Sequence, residues 1–292
     1  MTLRKQSLAG KVVFITGAAR GIGEHTARLA VAQGAKVALT GLEPERLASL
    51  ARELGPAAAW FECDVTDTAS LERAVDGTVG RFGGIDVVIA NAGVGTYMTV
   101  SLSSAESLAK TIEINLLGVM RTVSATLPHV EARRGYLLLV ASASAFAAMP
   151  GMSAYGASKA GVEQFGNVLR QELAAKKVQV GVAYPCWIDT DMVRDLRAQM
   201  PTFDKIHATL PGALGSYTSV EACAEAFIEG IARRSRRIYV PRSLAFMSAM
   251  RTVVLSAVGD LKVKRTSKRY MAQLETEMTA SLTADENKSP AG

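Results

Sequence analysis

Tyr155 and Lys159 stand four residues apart. On a helix that spacing puts both side chains on one face, so a phenol and an ammonium become neighbours. A free phenol titrates near ~10 and is a poor base at neutral pH. A positive charge beside it favours the phenolate and lowers that value. Such a pair can take a proton from an alcohol or return one to a carbonyl oxygen. A second group of residues carries different chemistry. Thr16-Gly17-Ala18-Ala19-Arg20-Gly21-Ile22-Gly23 closes a short apolar run. Its glycines permit a tight turn and close approach of backbone to a ligand. A helix starting there would aim free N–H groups and its positive dipole end at a pyrophosphate. Placed between a strand and a helix, the loop reads as a dinucleotide cradle.

These residues need a frame, and the sequence alternates between short apolar runs and helical stripes. Strands are expected at 11–16, 36–40, 58–64, 85–90, 136–141, 178–184 and 237–240. Helices are expected at 21–33, 44–54, 71–82, about 104–128 and about 153–176. Leu71, Val75, Val79 and Phe82 recur at the period of an amphipathic helix, as do Val162, Phe165, Leu169 and Leu173. The strand runs are apolar throughout, which suits a parallel sheet covered on both faces. Alternating βα units imply right-handed crossovers and a doubly wound α/β architecture of seven strands. Ligands of such a sheet sit beyond the carboxyl ends of the strands, where strand order reverses.

The residues at those strand ends resemble, in order, the motifs of the short-chain dehydrogenase/reductase family, over roughly residues 8–240. TGAARGIG is similar to the family's TGxxxGxG loop. Asp64, followed by Val65, ends strand three like the family's adenine-contacting aspartate. Asn91-Ala92-Gly93 matches its NAG after strand four, and Asn115 fits its helix asparagine. Ser142 precedes Tyr155 by thirteen residues, and Tyr155-Gly156-Ala157-Ser158-Lys159 matches YxxxK. The resemblance implies a Rossmann-type fold and an oxidoreductase moving hydride between NAD(P)(H) and an alcohol/ketone pair. By that resemblance Tyr155 is the general acid/base and Ser142 bonds the substrate oxygen. Lys159 also holds the cofactor ribose, and Asn115 supports a water relay to Lys159. The implied cofactor site comprises Gly17, Arg20, Gly21, Ile22, Gly23, Gly41, Asp64, Val65, Asn91, Ala92, Gly93, Tyr155, Lys159, Pro185, Ile188 and Thr190. The Ile188 backbone and Thr190 hydroxyl would hold the nicotinamide carboxamide.

Some positions stay open. Ser144 lies two residues beyond Ser142 and would face the same side of an extended segment. The thirteen-residue spacing favours Ser142, with Ser144 a substrate contact. Asn115 also reads as a helix-interior hydrogen-bonding residue. Cys186 stands where the family has glycine, so the turn at 184–190 is expected to differ. An NAD site usually places a carboxylate about twenty residues past the loop, on the ribose 2′-OH. Gly41 occupies that position, and Arg20 could pair with a 2′-phosphate. Leu42 replaces the arginine that often follows, and Glu43 could reach a ribose. The balance favours NADP(H) and leaves NAD(H) open.

Val94, Tyr97, Ser144, Met149, Trp187 and Met192 follow strand ends, and most are apolar. They imply a hydrophobic secondary alcohol or ketone as substrate, or else they simply pack the loops. Residues 186–217 are long and motif-poor, as a substrate loop would be. The fold and triad also leave two other readings: a non-catalytic dinucleotide-binding regulatory protein, and an epimerase or dehydratase.

Composition bounds the rest. With 292 residues, 49% hydrophobic and 21% charged, the chain is globular, not disordered, collagenous or coiled-coil. Three scattered Cys and three scattered His give neither a disulfide framework nor a metal cluster. With no signal-peptide core near the start, a cytoplasmic location is expected. Net charge is +6, yet 231–270 carry eleven Lys/Arg against Asp260 alone. That window is +10, which leaves −4 elsewhere. Such a block can be a solvated surface or attract an anionic membrane or acidic partner. No nucleic-acid-reading motif accompanies it, so no nucleic-acid partner is expected. The expected organisation is a single catalytic domain at 1–240, a basic amphipathic helical extension at 241–280 and a disordered tail at 281–292. Leu244, Met247, Met250, Val254 and Val258 would form one stripe of the extension. It would pack over the substrate mouth or at a subunit interface, or lie on an anionic bilayer through 243–269, with packing favoured. The resemblance implies a homodimer or homotetramer.

Overall fold

The computed structural model describes residues 6–286 except residue 211. Seven strands form one sheet: β1 (Val12–Thr16), β2 (Lys36–Gly41), β3 (Ala58–Glu62), β4 (Val87–Ala90), β5 (Tyr136–Val140), β6 (Gln179–Pro185) and β7 (Arg237–Val240). Their order is β3-β2-β1-β4-β5-β6-β7 and every pairing is parallel. The order reverses between β1 and β4, so the ligand crevice expected of such a sheet lies there.

Helices α1 (Gly21–Ala32) and α2 (Pro44–Leu54) cover one face; α3 (Thr68–Phe82) covers the other. On α3's side lie α4 (Ala105–Ile112), α5 (Gly118–Ala132) and α6 (Ser153–Glu172). Beyond β6 come α7 (Asp191–Gln199) and α8 (Pro201–His207), then α9 (Val220–Ala232), which packs beside α1. The unbroken apolar strands follow from this layering. In β1, Phe14 enters the core under α3 and α5, while Val13 and Ile15 enter the core under α1 and α9. Alternate side chains leave opposite faces, and here both faces are dry.

Three local departures have identifiable causes. Strand three stops at Glu62, because the Asp64 carboxylate accepts from the Thr66 N–H and hydroxyl, each at 2.8 Å, and turns the chain. α3 starts early, at Thr68, because Asp67 caps it by accepting from the Ala69 and Ser70 N–H groups. The helix expected across 104–128 is split by a π turn, Glu113–Leu117, which carries Asn115. Such turns commonly mark functional positions.

The extension forms α10 (Leu244–Ala249), α11 (Arg251–Val254) and α12 (Ala257–Glu286). Leu274 and Met278 of α12 are buried against Tyr97, Met200, Phe203 and Ile206. Glu277 accepts from the Thr202 N–H at 2.9 Å and hydroxyl at 2.6 Å. The C-terminal half of α12 therefore clamps α8. Of the tail expected at 281–292, residues 281–286 continue α12 and 287–292 lie outside the described residues. Within the expected apolar stripe Leu244 is fully buried and Met250 is exposed.

Candidate active site

The loop after β1 has no room for a side chain at Gly17 or Gly23. Gly17 and Gly21 have φ of 65° and 57°, in the left-handed region where glycine is favoured. A Cβ on Gly23 would lie 2.2 Å from the Gly17 carbonyl oxygen, and one on Gly17 would lie 2.9 Å from Ala92 Cα. Asn91 braces this cradle from β4: its Nδ2 donates to the carbonyls of Thr16 at 3.0 Å and Gly17 at 3.1 Å. The Thr16 hydroxyl accepts from the N–H groups of Asn91 and Ala92, both at 3.0 Å. Bare backbone at the N-terminus of α1 suits a pyrophosphate, so the residues present fit a dinucleotide. Gly41 leaves the end of β2 open beside Gly17. Arg20 is not free there: its guanidinium donates to Glu43, with Nε at 2.9 Å. Ile22 faces the neighbouring cleft. The Val65 side chain packs against Gly118 of α5 and so serves the core.

Tyr155 and Lys159 lie in the first two turns of α6, and Ser142 follows β5. The Ser142 hydroxyl lies near enough to the Tyr155 phenol to favour its phenolate. The Lys159 Nζ donates to the Val140 carbonyl at 3.0 Å and lies 5.6 Å from the Tyr155 ring centre. Burial pushes the Tyr155 phenol up, and the Ser142 hydroxyl only partly offsets this. Burial also pulls the Lys159 ammonium down to about 8. The expected lowering of the phenol involves the positive nicotinamide as well as Lys159 and so concerns the cofactor-bound pair. For both groups burial is the largest cause of the shift.

Asn115 is fully buried, and its amide is committed locally. Its Oδ1 accepts from the Val94 N–H at 2.8 Å and its Nδ2 donates to the Val94 carbonyl at 2.9 Å. It clamps the loop after β4, and Gly93 rests against Asn115 and Lys159 where any Cβ would crowd. Ser144 donates its N–H to Ser142 Oγ at 3.2 Å, while its own hydroxyl is buried without a partner. Cys186 in place of glycine costs no strain where it was expected; the positive φ, 43°, falls one residue on, at Trp187. Burial pushes the Cys186 thiol up to about 12, so it packs as an inert apolar group. Pro185 offers its carbonyl to Ser142 Oγ at 3.4 Å, Ile188 bridges to Thr218, and Thr190 sits against Gly21.

A cleft of about 990 Å³, counting its open mouth, reaches Ser142 and Tyr155. Of the residues named from the strand ends, Tyr97, Ser144, Met149, Trp187 and Met192 line it and Val94 does not. Sequence reasoning missed Met152, Val193 and Leu196. Met192, Val193 and Leu196 recur at helical spacing in α7, and that period was the available signal. The Tyr97 hydroxyl and Trp187 Nε1 are buried in this wall with no protein partner.

Residues 11–201 match the family model described as short chain dehydrogenase. The chain belongs to the short-chain dehydrogenase family. It is 30% identical over 264 residues to the 11-beta-hydroxysteroid dehydrogenase-like 2 of Arabidopsis thaliana, covering 89% of this chain and 82% of that one. It is 36% identical over 193 residues to momilactone A synthase of Oryza sativa subsp. japonica, covering 65% and 70%. Among solved structures it is similar to a 3-ketoacyl-(acyl-carrier-protein) reductase from Brucella melitensis complexed with NADH. That likeness has 26% identity and a TM-score of 0.71, and covers 80% of this chain and 98% of the other. This short-chain dehydrogenase is accordingly an NAD(P)(H)-dependent oxidoreductase with a Rossmann-type sheet. Among the described residues no helix is long and apolar enough to cross a membrane.

Proposed function

We propose that this dehydrogenase interconverts an apolar secondary alcohol and its ketone, with Tyr155 as general acid/base. The observation that carries this is that Tyr155 and Ser142 line one wall of an apolar cleft, with the Lys159 ammonium beside the Tyr155 ring. The hydroxysteroid in one relative's name is an alcohol of this kind. When bound, the nicotinamide supplies or takes the hydride. The glycines at 17, 21 and 23 and the N-terminus of α1 would hold its pyrophosphate. Gly41 would leave space at the adenosine ribose, Asp64 would meet the adenine, and Ile188 and Thr190 would meet the carboxamide.

In the oxidising direction Ser142 and Tyr155 Oη bind the substrate hydroxyl, and Tyr155 Oη accepts its proton. In the reducing direction Tyr155 Oη donates that proton to the carbonyl oxygen. Lys159 favours the phenolate once a second positive charge faces the pair. Asn115 acts as a positioning residue, holding the Val94 loop against Lys159. Ser144 offers its unpartnered hydroxyl to a polar substituent of the substrate.

The cofactor is NADP(H) by preference. The Arg20–Glu43 pair is exposed and worth at most about 1 kcal/mol, so a 2′-phosphate can take Arg20 from Glu43. Initial rates with each reduced cofactor test this, and a strong NADH preference overturns it. Light scattering reads the proposed homodimer or homotetramer.

The test of the main reading is ketone-dependent loss of reduced-cofactor absorbance by the purified chain and by Tyr155→Phe. The variant keeps the ring and loses the proton donor. Turnover should fall by roughly 10²–10⁴ while cofactor affinity by fluorescence titration holds. Undiminished turnover refutes the assignment.

A further inference from the structure

The extension carries two stripes of the same spacing on opposite faces. Leu244, Ser248 and Arg251, at i, i+4 and i+7, face inward. Leu244 is buried, Ser248 Oγ accepts from the Tyr239 hydroxyl at 3.0 Å, and Arg251 binds Glu163. Phe246, Met250 and Val253 repeat that spacing two residues on, and all are exposed, Phe246 by 73%. A turn at Met250 separates α10 from α11, yet hydrogen bonds carry the chain across it. The Met250 N–H donates to the Phe246 carbonyl and the Val254 N–H to the Met250 carbonyl, both at 3.0 Å. A cation is thus turned in and an apolar stripe turned out, the reverse of what a merely solvated surface helix requires.

Leu255 and Leu261 extend the exposed apolar surface, and Lys264, Arg265, Lys268 and Arg269 follow as exposed cations on α12. Leu255 also lines a small cavity with Met149, Met152 and Gly156, and that cavity shares Met149 and Met152 with the substrate cleft. The patch therefore adjoins one wall of the cleft that holds Tyr155.

We propose that this face docks on an anionic lipid bilayer, with Phe246, Met250, Val253 and Leu261 among the acyl chains and the α12 cations on the headgroups. The function proposed above then draws its substrate from the membrane phase. Charge chooses this occupant. A second copy laid symmetrically on the same face would bring the cations Lys264, Arg265, Lys268 and Arg269 of one α12 towards those of the other. A nucleic acid would meet the cations and leave Phe246 and Val253 in water. Only an interface with anionic headgroups above hydrocarbon satisfies both groups. The stretch 246–261 is too short to span a bilayer, so it lies in the interface.

The docking claim stands on the surface alone, while its link to substrate supply rests on the proposed function. The full chain is sedimented with phosphatidylcholine vesicles and with vesicles containing about 30 mol% phosphatidylserine. The wild type should pellet with the anionic vesicles only. The combined variant Lys264→Glu, Arg265→Glu, Lys268→Glu and Arg269→Glu should bind them at least about tenfold more weakly. Phe246→Asp with Val253→Asp should do the same by removing the inserted side chains. Both variants should keep wild-type turnover of a water-soluble ketone, which shows that they fold. Equal pelleting with neutral vesicles, or no pelleting of the wild type, overturns the proposal. So does a change from dimer to monomer in Phe246→Asp with Val253→Asp, read by light scattering, which assigns the face to self-association. Turnover that is absent in every sample while anionic vesicles still bind the chain defeats the catalytic reading and leaves the docking intact.

Discussion

Replacing Arg251 by Met tests how firmly the extension is joined to the catalytic helix. Glu163 lies two turns beyond Tyr155 on α6, with its side chain only 4% exposed. Its carboxylate accepts from both terminal nitrogens of Arg251 at 3.0 Å and from the Tyr184 hydroxyl at 3.1 Å. Arg251→Met removes the charge and both hydrogen bonds but keeps an apolar stem. Stranding a buried charge this way costs ~3–5 kcal/mol. Arg251 is 38% exposed, so water can reach the gap, and the lower end, about 3 kcal/mol, applies. At about 2–4 °C per kcal/mol for a domain of this size, Tm should fall by roughly 6–12 °C. Urea titration and calorimetry both read this. Glu163→Gln keeps an acceptor for Tyr184 and carries no charge. Arg251→Met combined with Glu163→Gln should therefore recover at least about 1 kcal/mol of the single-variant loss. A loss below about 1 kcal/mol for Arg251→Met, or strict additivity in the pair, would show that the contact carries no such coupling.

Gly23→Ala puts a methyl group 2.2 Å from the Gly17 carbonyl oxygen, where only backbone can give way. Dinucleotide affinity by calorimetric titration should drop at least about tenfold, and unchanged affinity would count against the cradle. Lys159→Met concerns stability and pH. Lys159 titrates near about 8 folded against 10.5 unfolded, so the unfolded chain binds more protons between those values. Wild-type stability should therefore gain a Lys159 contribution as pH rises through that window. The variant should lack this rise. At about pH 7 it should be roughly 2 kcal/mol more stable: about 3 from the relieved desolvation, less about 1 for the lost bond to Val140. A wild-type-minus-variant difference that is flat from about pH 7 to about pH 10 would contradict this.

Local chemistry was legible without coordinates. The glycine loop, the Tyr155–Lys159 spacing and the apolar strand runs depend on residues close in sequence, so their periods and steric demands specify β1, α1, α6 and the parallel sheet. The apolar cleft was readable too, since its wall hangs from strand ends whose place the topology dictates. What stayed hidden involves partners far along the chain. The Arg20–Glu43 pair, the Asn115 clamp on Val94 and the π turn that carries it arise only when separate strands are set side by side. The sign of the Tyr155 shift belongs to the same class. Sequence shows a cation four residues away, but only packing reveals that burial acts on both groups, more on Lys159 than on the half-buried Tyr155.

The extension divides the two sources most sharply. Its basic character and its helical period belong to the sequence. Which stripe faces the protein was decided by Glu163, 88 residues upstream, whose buried carboxylate draws Arg251 inward and turns Phe246 and Val253 to the outside. A helical period names the faces of a helix, but only the surface it lands on chooses between them, because burial energy depends on the partner as well as the stripe.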